Sequence, residues 1–467
     1  MKEATVIATN RFGLGARPGD FDIVDRNPQA WLLDQLQGPS RTPGDIRELP
    51  HSSTVLTDVQ ALRREERQRK KSPDNDNPDV TSVEKYGQVA RGHFMDQVAA
   101  RYRTATASDY PFYERLVHFW SNHFAISADQ QPLPTITGLF ENEAIRPHVA
   151  GKFADMLIAA EQHPAMILFL DNQRSIGPNS QFGKRANRRN KDRTIGLNEN
   201  LAREILELHT LGVNGGYTQE DVTTFAKVIT GWSIGGTNEN GRFAEGEQGT
   251  FEFRESFHEP GKKTILGKSY RQREVDQGEA VLRDLAVHPS TAKFLATKLA
   301  RHFVADEPPA ELVGKLSATY LESDGDLSVV YQALVQADEP WREIHAKYKT
   351  PHEFVVSTFR AFNRVPDDAR FIVRALELMG QTTFRPGSPE GWPDTAEQWG
   401  GADGLYKRIE WCNTVARVVG SKARPVELGD AVLGPGMSMT TRKSIARAEN
   451  GVQGLTLLLA SPEFQRR

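Results

Sequence analysis

The most constraining feature of this sequence is the recurrence of apolar residues at three- and four-residue spacing along most of the chain. This pattern predicts amphipathic helices over residues 109–126, 153–170, 198–211, 218–230 and 289–304. Thr218 followed by Asp221 forms a capping-box pattern, and Gly231 can close the helix that begins there. We therefore expect a mainly α, large multi-helical globular fold.

The clearest β-strand signal lies between residues 235 and 267, where Gly-rich turns flank residues 250–254 and 263–266. We interpret it as a small β-hairpin, around residues 245–267, inserted between helices. No repeat at a solenoid period and no sharp composition break divides the chain. We thus expect a single integrated helical domain over residues 1–467, with mobile loops at 63–80 and 174–196.

Composition restricts the classes of function. The formal net charge of -3 provides no global basic field for nucleic acid. Cys412 is the single cysteine, so a metal bound within one chain would need His, Asp or Glu ligands. The chain has no apolar run of membrane-spanning length, and its first residues lack a secretory apolar core. The expected location is cytoplasmic as written, or periplasmic or exported if a signal was removed.

The richest polar pattern lies on the predicted helix 198–211. At about 100° per residue, one arc of this helix holds Glu199, Asn200, Arg203, Glu204 and Glu207. Glu204 and Glu207 are three residues apart, which is close enough for each to perturb the pKa of the other. If the arc is buried, one carboxyl group can have the raised pKa that a general acid needs. If it faces water, the same residues form exposed salt bridges.

Two further clusters contain candidate residues. Trp120 and Asn122 precede His123, and aromatic side chains three and four residues before this histidine place its ring against them. His123 is then a base, an acid, a metal ligand or a hydrogen-bonded core histidine. In the second cluster, His258 and Glu259 precede a Pro-Gly turn, which is typical of a site loop and equally of a plain turn.

Other patterns carry less information. Residues 231–235 read G-x-S-x-G, but this stretch ends a helix and enters a Gly-rich loop, whereas a nucleophile elbow follows a strand. Residues 184–193 contain six Lys or Arg and one Asp. That basic stretch can meet an anionic substrate or partner, or it is a solvated loop.

With these residues identified, the sequence resembles the bacterial family catalogued as domain of unknown function 1800. The matching residues are 10–13, 119–120, 122–124, 164–166, 170–171, 198–232, His258, Lys263, 266–267, 349–351, Glu353, 380–381 and 391–393. They span nearly the whole chain. Glu259 departs from the family pattern, which often has Asp at this place, and this puts any fixed pairing of that carboxylate in doubt.

The resemblance implies a polar functional pocket, because Asn, His, Arg and Glu are prominent among the residues of the family pattern. It also implies a sulfatase-like partner protein and, for many members, export. No activity carries over from the family. Our hypothesis is that one cleft between helices gathers Glu199, Arg203, Glu204, Glu207, Asn122, His123 and His258.

Three functions fit this hypothesis. The first is a hydrolase or lyase whose carboxylate and histidine act as acid and base on a small molecule or on a polar polymer, which can be anionic. In it, Arg203 binds a negative charge, and Asn200, Trp120 or Trp232 contacts the substrate. The second is a hydrolase or oxidoreductase that depends on a divalent metal bound by His123, Glu204, Glu207 and His258. The third is a non-catalytic binding or assembly protein. We place the metal-free enzyme first.

Overall fold

The computed structural model describes residues 2–39, 41–71, 81–189, 196–236, 246–365, 367–420 and 423–467. Within these ranges helices dominate, and two small antiparallel strand pairs interrupt them. The predicted mainly α fold with a small β-hairpin is thus confirmed. None of the described helices combines the length and the apolar character needed to cross a membrane.

The described α-helices vary from single turns to long rods. They are Glu3–Ile7, Asp20–Val24, Pro28–Asp34, Gly44–Arg47, Ser52–Lys71, Thr81–Ala107, Pro111–His123, Thr137–Phe140, Phe153–Gln162, Pro164–Phe169, Gln181–Arg189, Asn200–Glu204, Gln219–Val228, Val275–Ala286, Pro289–Phe303, Ala310–Glu322, Leu327–Gln336, Pro351–Ala361, Ala369–Leu378, Ala396–Trp399, Ala402–Val419, Pro425–Val432, Met439–Ala446, Gly451–Ala460 and Pro462–Gln465. The π-helical turns are Ala8–Phe12, Glu141–Ile145 and Ile205–His209. The short 3₁₀ helices are Gln35–Gln37, Leu133–Thr135, Arg146–His148, Asn172–Arg174, Glu255–Phe257, Glu339–Trp341 and Gly434–Gly436.

The capping signals at residue 218 act as predicted. Thr218 Oγ1 accepts a hydrogen bond from Asp221 N at 3.2 Å, and Asp221 Oδ2 accepts one from Thr218 N at 2.9 Å. At the other end, Gly231 has a φ of 88°, a left-handed conformation that favours glycine. The helix Gln219–Val228 therefore lies within its predicted bounds, as Pro111–His123 and Pro289–Phe303 lie within theirs.

The other two predicted helices are interrupted. The predicted helix 153–170 is divided before Pro164, because His163 adopts an extended conformation with ψ of 136° and caps the second helix by accepting from Ala165 N. The predicted helix 198–211 is α-helical only over Asn200–Glu204 and continues as the π-helical turn Ile205–His209. This change of helical period rotates the side chains that follow.

The two segments expected to be loops are partly helical. Residues 63–71 continue the helix Ser52–Lys71, and residues 181–189 form the helix Gln181–Arg189. Residues 72–80 and 190–195 of these segments lie outside the described residues.

The two predicted strands exist but pair with other partners. Phe251–Phe253 pairs with Trp232–Ile234, and Lys263–Ile265 pairs with Lys268–Tyr270. The second pairing follows from its tight turn, where Leu266 and Gly267 both have positive φ, at 49° and 76°. Such a two-residue turn returns the chain directly onto the preceding strand.

Buried apolar side chains form two clusters. The larger includes Phe119 and Phe140, and the smaller includes Tyr102 and Phe384. These four aromatic residues also line a common cavity. The cavity therefore lies where the two clusters meet, so its walls come from packed helices rather than from a surface loop.

Candidate functional site

A cavity of about 630 Å³ lies at this junction, a size typical of small-molecule sites. Its walls come from the helices Thr81–Ala107, Pro111–His123, Pro289–Phe303 and Pro351–Ala361 and from residues 381–398. The basic and acidic side chains and the histidines of its lining are Arg101, Arg115, Lys298, Arg301, His118, His123, His302, His352, Glu353, Glu390 and Asp394. We call this cavity the main pocket.

His302 and Asp394 form a hydrogen-bonded pair in the main pocket. His302 Nδ1 lies 2.5 Å from Asp394 Oδ2, and its Nε2 lies 3.4 Å from Arg115 Nη1. Burial lowers the pKa of His302 despite the opposing effect of Asp394, so the ring is neutral at pH 7. Because an ionised carboxylate only accepts hydrogen bonds, the proton lies on Nδ1 and Nε2 carries a lone pair. This is the protonation state required of a general base.

Cations keep Asp394 ionised. Arg467 Nη2 donates to Asp394 Oδ1 at 3.3 Å, and Lys347 Nζ donates to the Asp394 carbonyl oxygen at 2.5 Å. Burial alone would raise the pKa of Asp394, but the interactions with His302, Arg467 and Lys347 outweigh it and lower the pKa. The carboxylate is thus a fixed acceptor that orients the His302 ring.

Lys298 lies one helical turn before His302 and contacts His123. His123 Nε2 lies 3.0 Å from the carbonyl oxygen of His209, and His123 Nδ1 lies 3.1 Å from Lys298 Nζ. Because a carbonyl oxygen only accepts, Nε2 carries the proton and Nδ1 accepts from the lysine. Burial lowers the pKa of Lys298 to about 8, so its ammonium can exchange a proton near neutral pH.

The π-helical turn Ile205–His209 supplies the carbonyl that fixes His123. The side chain of His209 is fully buried, and its Nδ1 lies 2.7 Å from Glu161 Oε1. Aromatic rings also enclose His123 as the sequence predicts, with the ring centres of Trp120 and Phe124 at 5.2 and 4.6 Å. His123 is therefore a buried residue that positions Lys298.

A second hydrogen-bonded chain of side chains also lines the main pocket. Tyr102 Oη lies 2.7 Å from His352 Nδ1, and His352 Nε2 lies 3.0 Å from His118 Nδ1. Burial, reinforced by the charge of Arg101, lowers the pKa of both histidines well below 6.5. Both rings are thus neutral at pH 7.

These buried histidines predict that the protein loses stability as the pH falls from 7 to 5. Their pKa values are lower in the folded than in the unfolded chain, so the unfolded chain takes up protons first below pH 6.5. Each histidine should reduce the free energy of unfolding by up to about 1.4 kcal/mol per pH unit in this window. Urea unfolding at pH 7, 6 and 5 measures this slope. His352→Gln should reduce the slope, and equal slopes in the parent and His352→Gln would contradict the prediction.

The wall formed by residues 386–392 separates the main pocket from a second cavity. Asn122 fixes this wall, since its Nδ2 donates to Trp392 O and its Oδ1 accepts from Trp392 N, both at 2.8 Å. Gly391 has a φ of 86°, and a Cβ there would lie 2.3 Å from Asn122 O. Only glycine fits this contact without a shift of the backbone.

The second cavity has a volume of about 420 Å³ and shares Pro386, Gly387 and Ser388 with the main pocket. Asn200 and Glu204 line it. Burial raises the pKa of Glu204, and the charge of the nearby Glu207 adds to this effect. The carboxyl group of raised pKa that the helix pattern suggested is thus Glu204, and it faces a neighbouring cavity rather than His302.

The structure places other predicted site residues outside the main pocket. Arg203 Nη2 and Glu199 Oε2 form a partly exposed salt bridge at 3.2 Å. This part of the arc therefore resembles the alternative in which its residues face water. His258 lies 3.0 Å from the carbonyl oxygen of Thr230, at a helix end, and does not line the main pocket. The predicted single cleft therefore gathers only part of its residues.

The two tryptophans predicted to contact substrate are core residues instead. Trp120 and Trp232 have 0% of their surface exposed. Trp120 donates to Tyr331 Oη at 2.5 Å, and Trp232 packs so closely against Gly278 that a Cβ there would lie 2.3 Å from its ring. Neither ring has a face available for stacking; Trp392, which is half-buried, lines the main pocket instead.

The predicted metal ligands do not converge. Among the residues that the structure describes, no group of three or more His, Cys, Asp or Glu side chains is arranged to bind a metal ion. Both ring nitrogens of His123 contact His209 and Lys298, while His258 and Glu204 lie at separate places.

Sequence reasoning missed the most prominent groups of the main pocket. A signal for part of them was present, because Lys298, Arg301 and His302 are spaced three and four residues apart at the end of a predicted helix. Several residues that carried the family resemblance also line the pocket. They are Phe119, Asn122, His123, Thr350, Glu353, Gln381, Gly391, Trp392 and Pro393.

The fold and the site together define a mainly α-helical protein with a deep pocket lined by histidines, arginines and a lysine. A family model described as protein of unknown function (DUF1800) matches residues 7–466, so the chain belongs to the DUF1800 family. No curated protein and no solved structure matches the chain.

Proposed function

We propose that this protein is a hydrolase or lyase that uses acid–base chemistry on an anionic, polymeric substrate in the main pocket. The observation that carries the proposal is His302, a neutral histidine oriented by Asp394 within a cavity that four cationic side chains line. Such an orientation is the usual way to prepare a histidine as a base. The lining cations favour a negatively charged substrate.

His302 and Lys298 divide the proton transfers. They are four residues apart on one helix, which places their Cβ atoms about 5–6 Å from each other. In an elimination, His302 Nε2 takes a proton from carbon, the electron pair forms a double bond, and Lys298 protonates the leaving oxygen. In a hydrolysis, His302 takes the proton from the attacking water, and Lys298 again protonates the leaving oxygen.

The form of the site supports a polymeric substrate. The main pocket and the second cavity adjoin at residues 386–388, so neighbouring units of a chain have a place on both sides of that wall. Trp392 provides an aromatic surface in the main pocket, and Asn200 and Glu204 provide polar groups in the second. The Glu204 carboxyl group and the Asn200 amide would thus contact the neighbouring unit of the polymer.

The decisive experiment incubates the parent protein and His302→Gln with polygalacturonate, alginate, chondroitin sulfate and heparin, and analyses the products by mass spectrometry. We expect the parent to cleave at least one of these polymers and His302→Gln to be about 10²- to 10⁴-fold slower. His345→Gln is the matched control, because His345 contacts Gly436 O and does not line the main pocket. Incorporation of oxygen-18 from labelled water identifies hydrolysis, whereas an unsaturated product identifies elimination.

Two outcomes would contradict the proposal. If the parent cleaves none of the anionic polymers, the proposed substrate class is wrong. If His302→Gln retains the turnover of the parent, the proposed base is wrong.

A structural role is the second candidate for part of this network. Arg467 and Lys347, which hold Asp394, are almost fully buried and do not line the main pocket. Buried ion pairs of this kind can fix the packing of helices without taking part in chemistry.

A further inference from the structure

The wall of the main pocket formed by Arg101, His118 and Gln381 has side-chain nitrogens that the described residues leave without a hydrogen-bond partner. His118 Nε2 and Arg101 Nε are both buried and have no hydrogen-bond partner in the described part of the chain. A buried polar group without a partner destabilises the folded protein, because it has lost its hydrogen bonds to water. Two such atoms on one wall of a cavity indicate a place prepared for a ligand.

Arg101 is held in place while part of its guanidinium stays available. Its Nη2 lies 3.1 Å from Glu141 Oε2, and its Cζ lies 4.9 Å from the ring centre of Phe384. This stacking and pairing fix the plane of the guanidinium. Nη1 is the terminal nitrogen left for a ligand.

Gln381 lies beside the same histidines. Its Oε1 accepts a hydrogen bond from His352 N at 2.7 Å, so its Nε2 is the group left to donate. His352 in turn contacts His118 through the ring nitrogens. An acceptor bound to His118 selects the arrangement in which Tyr102 donates to His352, His352 donates to His118, and His118 Nε2 carries a proton.

We propose that Arg101, His118 and Gln381 form a subsite for one anionic group of the substrate, a carboxylate, a sulfate ester or a phosphate ester. Guanidinium, imidazole and amide N–H groups are the donors that such oxyanions prefer. The assignment of this anion to a substrate rests on the proposed function, whereas the anion site itself does not.

The subsite also has a defined relation to the proposed base. Arg115 contacts His302 Nε2 at 3.4 Å, and its charge lowers the pKa of His118, three residues further along the same helix. Arg115 is therefore close both to the proposed base and to the subsite.

Isothermal titration calorimetry with sodium sulfate, sodium phosphate and sodium acetate tests the subsite directly, with ionic strength held constant by sodium chloride. We expect the parent to bind at least one of these anions, and the preferred anion identifies the ester or acid group. Arg101→Gln should weaken this binding about tenfold or more, because a hydrogen bond to a charged group is lost.

Gln381→Glu is the second variant, and it keeps the acceptor for His352 N while adding a negative charge. It should abolish anion binding with the fold intact, as circular dichroism can check. Arg103→Gln removes a charge from the same helix at a residue paired with Asp45, outside the pocket, and should bind as the parent does.

The outcomes separate the subsite from the proposed function. Absence of binding of all three anions to the parent, or equal binding by the parent, Arg101→Gln and Gln381→Glu, would overturn the subsite. His302→Gln should keep anion binding while losing turnover. If anion binding follows these expectations and no polymer is cleaved, the subsite stands and the proposed function fails.

Discussion

Asp394→Asn is expected to lower kcat by about 10²- to 10⁴-fold on the polymer that the parent cleaves. The asparagine amide can donate to His302 Nδ1, which moves the ring proton to Nε2. The nitrogen that faces Arg115 and the main pocket then has no lone pair to accept a proton. Since the substrate does not bind through Asp394, KM should change much less than kcat.

Asp306→Asn is the matched control for this prediction. Asp306 pairs with the same Lys347 and accepts from Ala396 N, but it does not contact His302. It should therefore disturb the buried ion pairs while leaving the base oriented. An equal loss of kcat in both variants would assign the effect to Lys347 and would contradict a role for Asp394 in orienting His302.

Glu353→Gln is expected to reduce the free energy of unfolding by about 3–5 kcal/mol. The carboxylate is paired with Arg115 and Arg467, and each of these three side chains is no more than 6% exposed. The two arginines keep the pKa of Glu353 well below its usual value even though burial would raise it. Glutamine retains the shape but leaves the buried Arg115 without its paired carboxylate and Arg467 with Asp394 alone.

Urea unfolding of the parent and the variant measures this loss. Glu427→Gln is the control, because its partner Arg424 and the glutamate itself are exposed, with 77% and 68% of their side chains accessible. Exposed pairs contribute about 0–1 kcal/mol, so this variant should remain close to the parent. Similar values for the two variants would show that the buried pair is not a major source of stability.

Local patterns predicted the elements of this fold well. The helix Pro289–Phe303 could be predicted because its apolar residues face one side, and the capping box at Thr218 depends only on residues three apart. The helix break at Pro164 and the π-helical turn Ile205–His209 were missed. In the second case the sequence pattern is helical throughout, and packing in the folded protein determines where the π-helical turn forms. Periodicity alone therefore does not predict this turn.

The site was predictable only in part, for a physical reason. His123 could be singled out because the aromatic residues around it are its neighbours in sequence. The pair of His302 and Asp394 is separated by 92 residues, and nothing local marks the aspartate as its partner. The charged arc of residues 198–211 could be recognised because charged residues can be read directly from a sequence. The lowered pKa of Lys298 depends on burial, which the sequence does not show.

The double hydrogen bond between Asn122 and the backbone of Trp392 has a practical consequence for engineering. The pair of hydrogen bonds resembles one pairing between neighbouring β-strands, and it holds the stretch 386–391 in place. It uses no group of His302 or Asp394. Residues 386–389, which separate the two cavities, should consequently tolerate replacement. We expect that loops of different length can be grafted there to join or separate the two cavities. The hydrogen bonds of Asn122 should then keep His302 and Lys298 in their present positions.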